Sequence, residues 1–146
     1  MNPHVQGREL PPAAPYLVGR EKVREFARAV FSTSEINYDP DAALDAGYRD
    51  VVAPPTFPMV VQGSMRPLLT DPAIGIDFSH ILHGEQRFQY SRPIVAGDEL
   101  TTTRRISGVR SAGAHHIVTI ESEVADSAGQ HVATAVATLV LRGAAS

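Results

Sequence analysis

The side chains with chemistry to offer crowd the stretch FSTSEINYDPDAALDAGYRDVVAPPTF, residues 31–57. A carboxylate such as Glu35 can act as a general base. Ser32 and Asn37 do not titrate near neutrality and exchange no proton at a useful rate. Asp39, just before Pro40, reads as the cap of a helix rather than as a base. Further along, His83 opens a strand-like stretch and could face an apolar channel or a partner. His80 and His83 lie three apart, a spacing that suits two metal ligands on a helix, but no third ligand stands in context and no metal is expected. His115 and His116 are neighbours on a strand, so they point to opposite faces.

These groups need elements to hold them. Four of the eleven prolines fall in residues 1–15, which reads as an extended N-terminal arm ahead of one domain over 16–143. Val23, Phe26, Ala27 and Val30 follow the i, i+3, i+4, i+7 pattern of an amphipathic helix that frays near Ser32. A short helix is expected over 41–46, stopped by Gly47. Next, Thr56 can cap a long helix on which Phe57, Val60, Val61, Ser64, Met65 and Leu68 form one inward stripe, bent or ended by Pro67.

The C-terminal half reads as strands. Leu82, Gly84, Gln86, Phe88 and Tyr90 alternate against His83, Glu85, Arg87 and Gln89. The segment RPIVAGDEL, with Arg92-Pro93 and Gly97-Asp98, reads as a structural connection. His116, Val118, Ile120, Ser122 and Val124 share a face, and Ala133, Ala135 and Ala137 let a helix approach the last strand closely. Short turns between four strands imply an antiparallel meander. The expected fold class is α+β: a curved antiparallel sheet wrapped on one long buried helix, the hot-dog arrangement.

Composition sets the outer bounds. A chain of 146 residues with 43% hydrophobic and 20% charged residues suits one globular domain. The net charge of −3 speaks against nucleic acid or an anionic membrane as partner. No cysteine occurs, which removes disulfides, thiolate metal sites and cysteine nucleophiles. No signal-peptide core and no run of about 20 apolar residues is present, so a cytoplasmic protein is expected.

Four stretches, GRELPP (7–12), VGREKVREFARA (18–29), DPDAALDAGYRDVVAPPTFP (39–58) and HGEQRFQYSRPIVAGDEL (83–100), resemble the MaoC-like dehydratases. The likeness is strongest to the N-terminal-type subunits of bacterial (3R)-hydroxyacyl-thioester dehydratases. It spans nearly the whole chain. It implies a hot-dog fold, a dimeric unit, no cofactor, and substrates that are acyl chains on acyl carrier protein or coenzyme A.

Catalytic members carry Asp-x-Asn-Pro-Ile-His-x-Asp/Asn-Pro, whose Asp and His move the proton and the hydroxyl. Anchored on Asp39-Pro40, the matched positions here are Ser32 and Asn37. Glu35 falls near the acid position only with a gap, and His83 is the other candidate. The helix N-terminus that polarises the thioester carbonyl in relatives reads Ala53-Pro54-Pro55-Thr56, and two prolines have no N–H to give. No catalytic residue is therefore expected in this chain. Thr56, Phe57, Val60, Gly63, Met65, His83 and Gly84 are the expected substrate contacts.

The reading is a non-catalytic, substrate-binding subunit that pairs with a second hot-dog chain, the two together forming a hydro-lyase. Two alternatives stay open: a self-sufficient homodimeric dehydratase or thioesterase using Glu35 as base, and an acyl-thioester binding module without turnover.

Overall fold

The structure is a computed structural model that describes residues 3–75 and 78–142; Gly143, the last residue of the expected domain, lies outside them. Helix α1 (Arg20–Ala29) buries Val23 and Ala27 completely and sets Phe26 edge-to-face on Phe57, with ring centroids 5.4 Å apart. Helix α2 (Pro40–Asp45) begins as its sequence dictates: the Asp39 carboxylate accepts from the Asp41 amide at 2.9 Å, and Gly47 takes φ +95° just past its end.

Strands β1 (Tyr16–Leu17), β2 (Ile81–Tyr90), β3 (Glu99–Ala112), β4 (His115–Ala125) and β5 (His131–Leu141) form one antiparallel sheet in the order β1-β3-β4-β5-β2. Only β3, β4 and β5 make the expected meander. Strand β2 lies on the far edge beside β5, so residues 91–98 must cross from one side of the sheet to the other. That crossing is held by backbone bonds: the Ala53 amide donates to Ile94, Ala96 to Val51 and Gly97 to Val18, each at 2.8–3.0 Å. Ile94 is buried at its centre. Local alternation gives strand faces but not strand order, so the four-strand meander expected from the sequence reduces to three strands here.

The long buried helix is the second difference. It is cut into α3 (Pro58–Val61) and α4 (Arg66–Thr70), and Thr56 does not cap it; Phe57 stands at the cap position without a side-chain bond. Gly63 adopts φ +74°, a left-handed conformation that ends a helix rather than continuing it. The carbonyl of Ser64, freed by the break, accepts from Arg104 Nη1 at 2.6 Å.

The face pattern of β2 also changes. A bulge between His83 and Glu85 leaves Gly84 unpaired, so Ile81 and His83 share the inner face with Gln86, Phe88 and Tyr90, while Leu82 turns outward. A β-carbon at Gly84 would meet Thr138 O and Val140 Cγ2 at 3.4 Å, a tight approach that favours glycine there.

The proline-rich start is more than a loose arm. Val5 and Leu10 are buried against β3, and the amides of Gly7 and Leu10 donate to Ile106 and Arg104 at 2.7 and 2.9 Å. Two apolar residues among prolines carry no periodicity, which hid this packing. None of the helices among the described residues is long and apolar enough to cross a membrane.

Phe57 is completely buried, with Phe26 and Tyr16 edge-on to its ring. Phe57→Ala is expected to lower stability by about 3–5 kcal/mol. A urea melt checks this, and a loss under about 1 kcal/mol would contradict the packing described.

Candidate functional site

Two cavities hold candidate site residues. The first, of about 510 Å³, is lined by Ser32, Ser34, Ile36, Asn37, Val52, Ala53, Pro55, Tyr90, Ser91, Arg92 and Pro93. It contains both positions matched to the acid–base pair. There the Ser32 hydroxyl donates to Asn37 Oδ1, and Asn37 Nδ2 donates to the Val52 carbonyl at 2.6 Å. The Val52 amide returns a bond to Ile36 at 2.8 Å. Asn37 is buried, and its amide is used up as a strut between two loops.

The ionisable groups of this cavity do not change charge near neutrality. Burial pushes the Tyr90 phenol well above its ordinary range, and its hydroxyl donates to Pro55 O at 2.6 Å. The Arg92 guanidinium is held above its usual value chiefly by its bonds to Asp98, at 2.8 and 3.2 Å. Asp98 is buried and also receives Arg49 at 3.1 Å and the Val95 amide at 3.0 Å. The Arg92–Asp98 region therefore fixes the crossing segment, as the sequence suggested. Glu35 is exposed in the 3-10 turn Glu35–Asn37 and does not line the cavity. Phe57's amide donates to Pro54 O at 2.9 Å, so it is not free for a thioester carbonyl.

Ser91 Oγ lies 2.6 Å from His131 Nδ1, and His131 Nε2 lies 2.7 Å from Thr134 Oγ1. The three are a chain of hydrogen bonds tying the end of β2 to the start of β5.

The second cavity, of about 340 Å³, is lined by Met59, Gln62, Met65, Ile81, His83, Gln86, Ile120, Ala137 and Leu139. Its floor is one cross-strand row, Gln86–Ala137–Ile120, over β2, β5 and β4. Gln62 and Met65 flank the break in the central helix, so the cavity lies against that break. Of the expected substrate contacts, Met65 and His83 line it. Phe57 sits in the core, Val60 packs beside it, Thr56 is exposed, and Gly63 and Gly84 serve the helix break and the bulge. Gln62 and Gln86 were not anticipated, although a lone Gln after the apolar run PMVV was a legible signal. Among the described residues no three His, Asp or Glu side chains gather as metal ligands would.

A family model described as FAS1-like, dehydratase domain region, matches residues 4–135. The chain belongs to this FAS1-like dehydratase family. It is 56% identical over 144 residues to a UPF0336 protein of Leifsonia xyli, covering 98% of this chain and 97% of that one. It is 58% identical over 144 residues to a UPF0336 protein of Clavibacter michiganensis, with the same coverage. Among solved structures it matches the HadBC (3R-hydroxyacyl-ACP dehydratase) complex of Mycobacterium tuberculosis with TM-score 0.80 and 31% identity, over 93% of this chain and 96% of that one. A MaoC-like dehydratase gives TM-score 0.85 and 36% identity, over 96% of this chain and 43% of the other. The expected MaoC-like resemblance and hot-dog fold are both borne out.

In this dehydratase family member Asn37 joins the loop after α1 to the segment before α3. Asn37→Ala leaves the Val52 carbonyl and the Ser32 hydroxyl without their partner, at an expected cost of about 1–3 kcal/mol. Chemical denaturation reads this directly, and an unchanged midpoint would show the strut to be idle.

Proposed function

We propose that this chain is the substrate-binding, non-catalytic subunit of a (3R)-hydroxyacyl-thioester dehydratase, working in the cytoplasm. A second hot-dog chain supplies the acid and the base. The observation that carries the reading is the locked pair in the first cavity. A dehydration needs one group to take the proton from Cα and one to protonate the leaving hydroxyl. At the two matched positions a hydroxyl and a carboxamide bond to each other, and the amide's nitrogen is committed to Val52.

The partner has a place to dock. Strand β2 is a ten-residue sheet edge that ends the strand order, and such edges recruit a further strand. Leu82, about half exposed at 51%, lies on this strand. The HadBC structure is itself a complex of two chains, which supports pairing of this kind.

The second cavity is suited to the acyl chain. It is walled by Met59, Met65, Ile81, Ile120 and Leu139, and it reaches β2, where the partner would add its own surface. Thioether side chains adapt to flexible apolar ligands. The thioester itself is carried by acyl carrier protein or coenzyme A. The zero cysteine count fits a reducing compartment.

Co-expression with a catalytic hot-dog partner is expected to yield a complex that dehydrates 3-hydroxyacyl thioesters, while this chain alone does not. Sizing chromatography with a spectrophotometric enoyl assay checks both points. Equal activity from the partner alone, with no complex, overturns the reading. Thioester turnover by this chain alone, abolished in Ser91→Ala, would instead assign chemistry to the Ser91–His131 contact.

A further inference from the structure

Across β3 and β4 one buried pair of opposed residues is polar on both sides: Arg104 and Ser122, 3% and 2% exposed. The pairs before and after it belong to different apolar clusters. Val124 clusters with Phe57 and Ile94, whereas Ile106 and Ile120 cluster with Leu68 and Ile74. Ile120 is also part of the second cavity's floor, so the polar pair stands one row beyond that floor.

Both members of the pair reach the broken helix. Ser122 Oγ donates to Gln62 Oε1 at 3.3 Å. Arg104 Nη1 donates to the Ser64 carbonyl at 2.6 Å and lies 3.8 Å from Met65 Sδ. Gln62 and Met65 line the cavity, and they are tied in this way to β4 and β3. His83 and Gln86 line it from β2, the free edge of the sheet. The cavity therefore runs inward from that edge, and the Gln62–Met65 wall closes its inner end.

An arginine this buried is costly unless a carboxylate meets it, and none does among the described residues. Its side chain is spent on one backbone carbonyl and one thioether at the wall. Met65 is unbranched and changes shape readily when free to move, so only a fixed wall gives the cavity a sharp end. We infer that Arg104 is a positioning residue that sets the longest acyl chain the second cavity admits, by pinning the Gln62–Met65 wall. This rests on the substrate-binding reading and adds which chains that site accepts.

Each methylene that finds room in an apolar cavity strengthens binding about fourfold, and one without room adds nothing. The test is calorimetric titration of the full chain with pantetheine thioesters of even-numbered saturated acyl chains, from butanoyl to octadecanoyl. In the wild type affinity is expected to climb with length and then level off sharply. Arg104→Met keeps an extended side chain but removes the donor and the buried charge. In it the climb should continue, with a gain of about tenfold for chains two methylenes beyond the wild-type limit. Butanoyl and hexanoyl thioesters should stay within about twofold of wild type, a split that a general loss of stability would not produce. Ser122→Ala, a mild change that frees Gln62 alone, should move the limit the same way and decides the matter if Arg104→Met does not fold.

An unchanged limit in the folded variants overturns the inference. An equal loss at every chain length does so too, since Arg104 would then support the cavity as a whole. Affinity that climbs without a limit in the wild type also overturns it. In all three cases the substrate-binding reading stands. Binding of no acyl thioester of any length brings down that reading and this inference with it.

Discussion

The bond from Asn37 Nδ2 to the Val52 carbonyl, 2.6 Å long, joins the loop that follows α1 to the segment that leads into α3. Around it the backbone bonds from Val52 to Ile36 and from Ala53 to Ile94 bring three stretches of chain into register. The crossing segment 91–98 then carries the chain from β2 to β3, locked by the buried Asp98 and its two arginines. An imidazole at position 37 could hold a proton and release it near neutrality. A carboxamide cannot, and this one is spent on holding the loops together. The Asn37 carboxamide thus ties together the walls of the first cavity.

The broken central helix is the complementary feature. Continuous helix over residues 58–70 would satisfy its own backbone and fill the space above β4 and β5. Instead Gly63 turns the chain, and the carbonyl of Ser64 is met by Arg104. Arg104 is 3% exposed, and burial lowers its affinity for its proton. Its Nε has no partner among the described residues, so the arrangement carries a desolvation cost that a helix would avoid. What the break yields is an apolar cavity next to a free sheet edge, bounded by two methionines.

Much of this was legible in the sequence. Periodicity gave α1, and Asp39-Pro40 with Gly47 gave α2, because each signal is local and physical. The inward faces of β4 and β5 followed from alternation at Val118, Ile120, Ser122 and Val124, and at Ala133 and Ala135. What escaped was non-local. The position of β2 beside β5 depends on a crossing that leaves no periodic trace. The apolar stripe from Phe57 to Leu68 reads as one helix, and only the left-handed Gly63 and the distant Arg104 divide it. The bulge at Gly84 inverted the expected faces of Leu82 and His83, which carried His83 into the cavity. Of the candidate site, the lack of a titrating group at positions 32 and 37 was visible from residue types, whereas the place of Gln86 in the second cavity required the register of the sheet.

The central claim is that no group of this chain moves a proton on the substrate. Its most direct test is deuterium exchange at Cα of a 3-hydroxyacyl-pantetheine thioester in D₂O, followed by proton NMR with the purified chain alone. The account predicts exchange no faster than in buffer, with acceleration only after a catalytic hot-dog partner is added. Enzyme-dependent exchange by the chain by itself would contradict it.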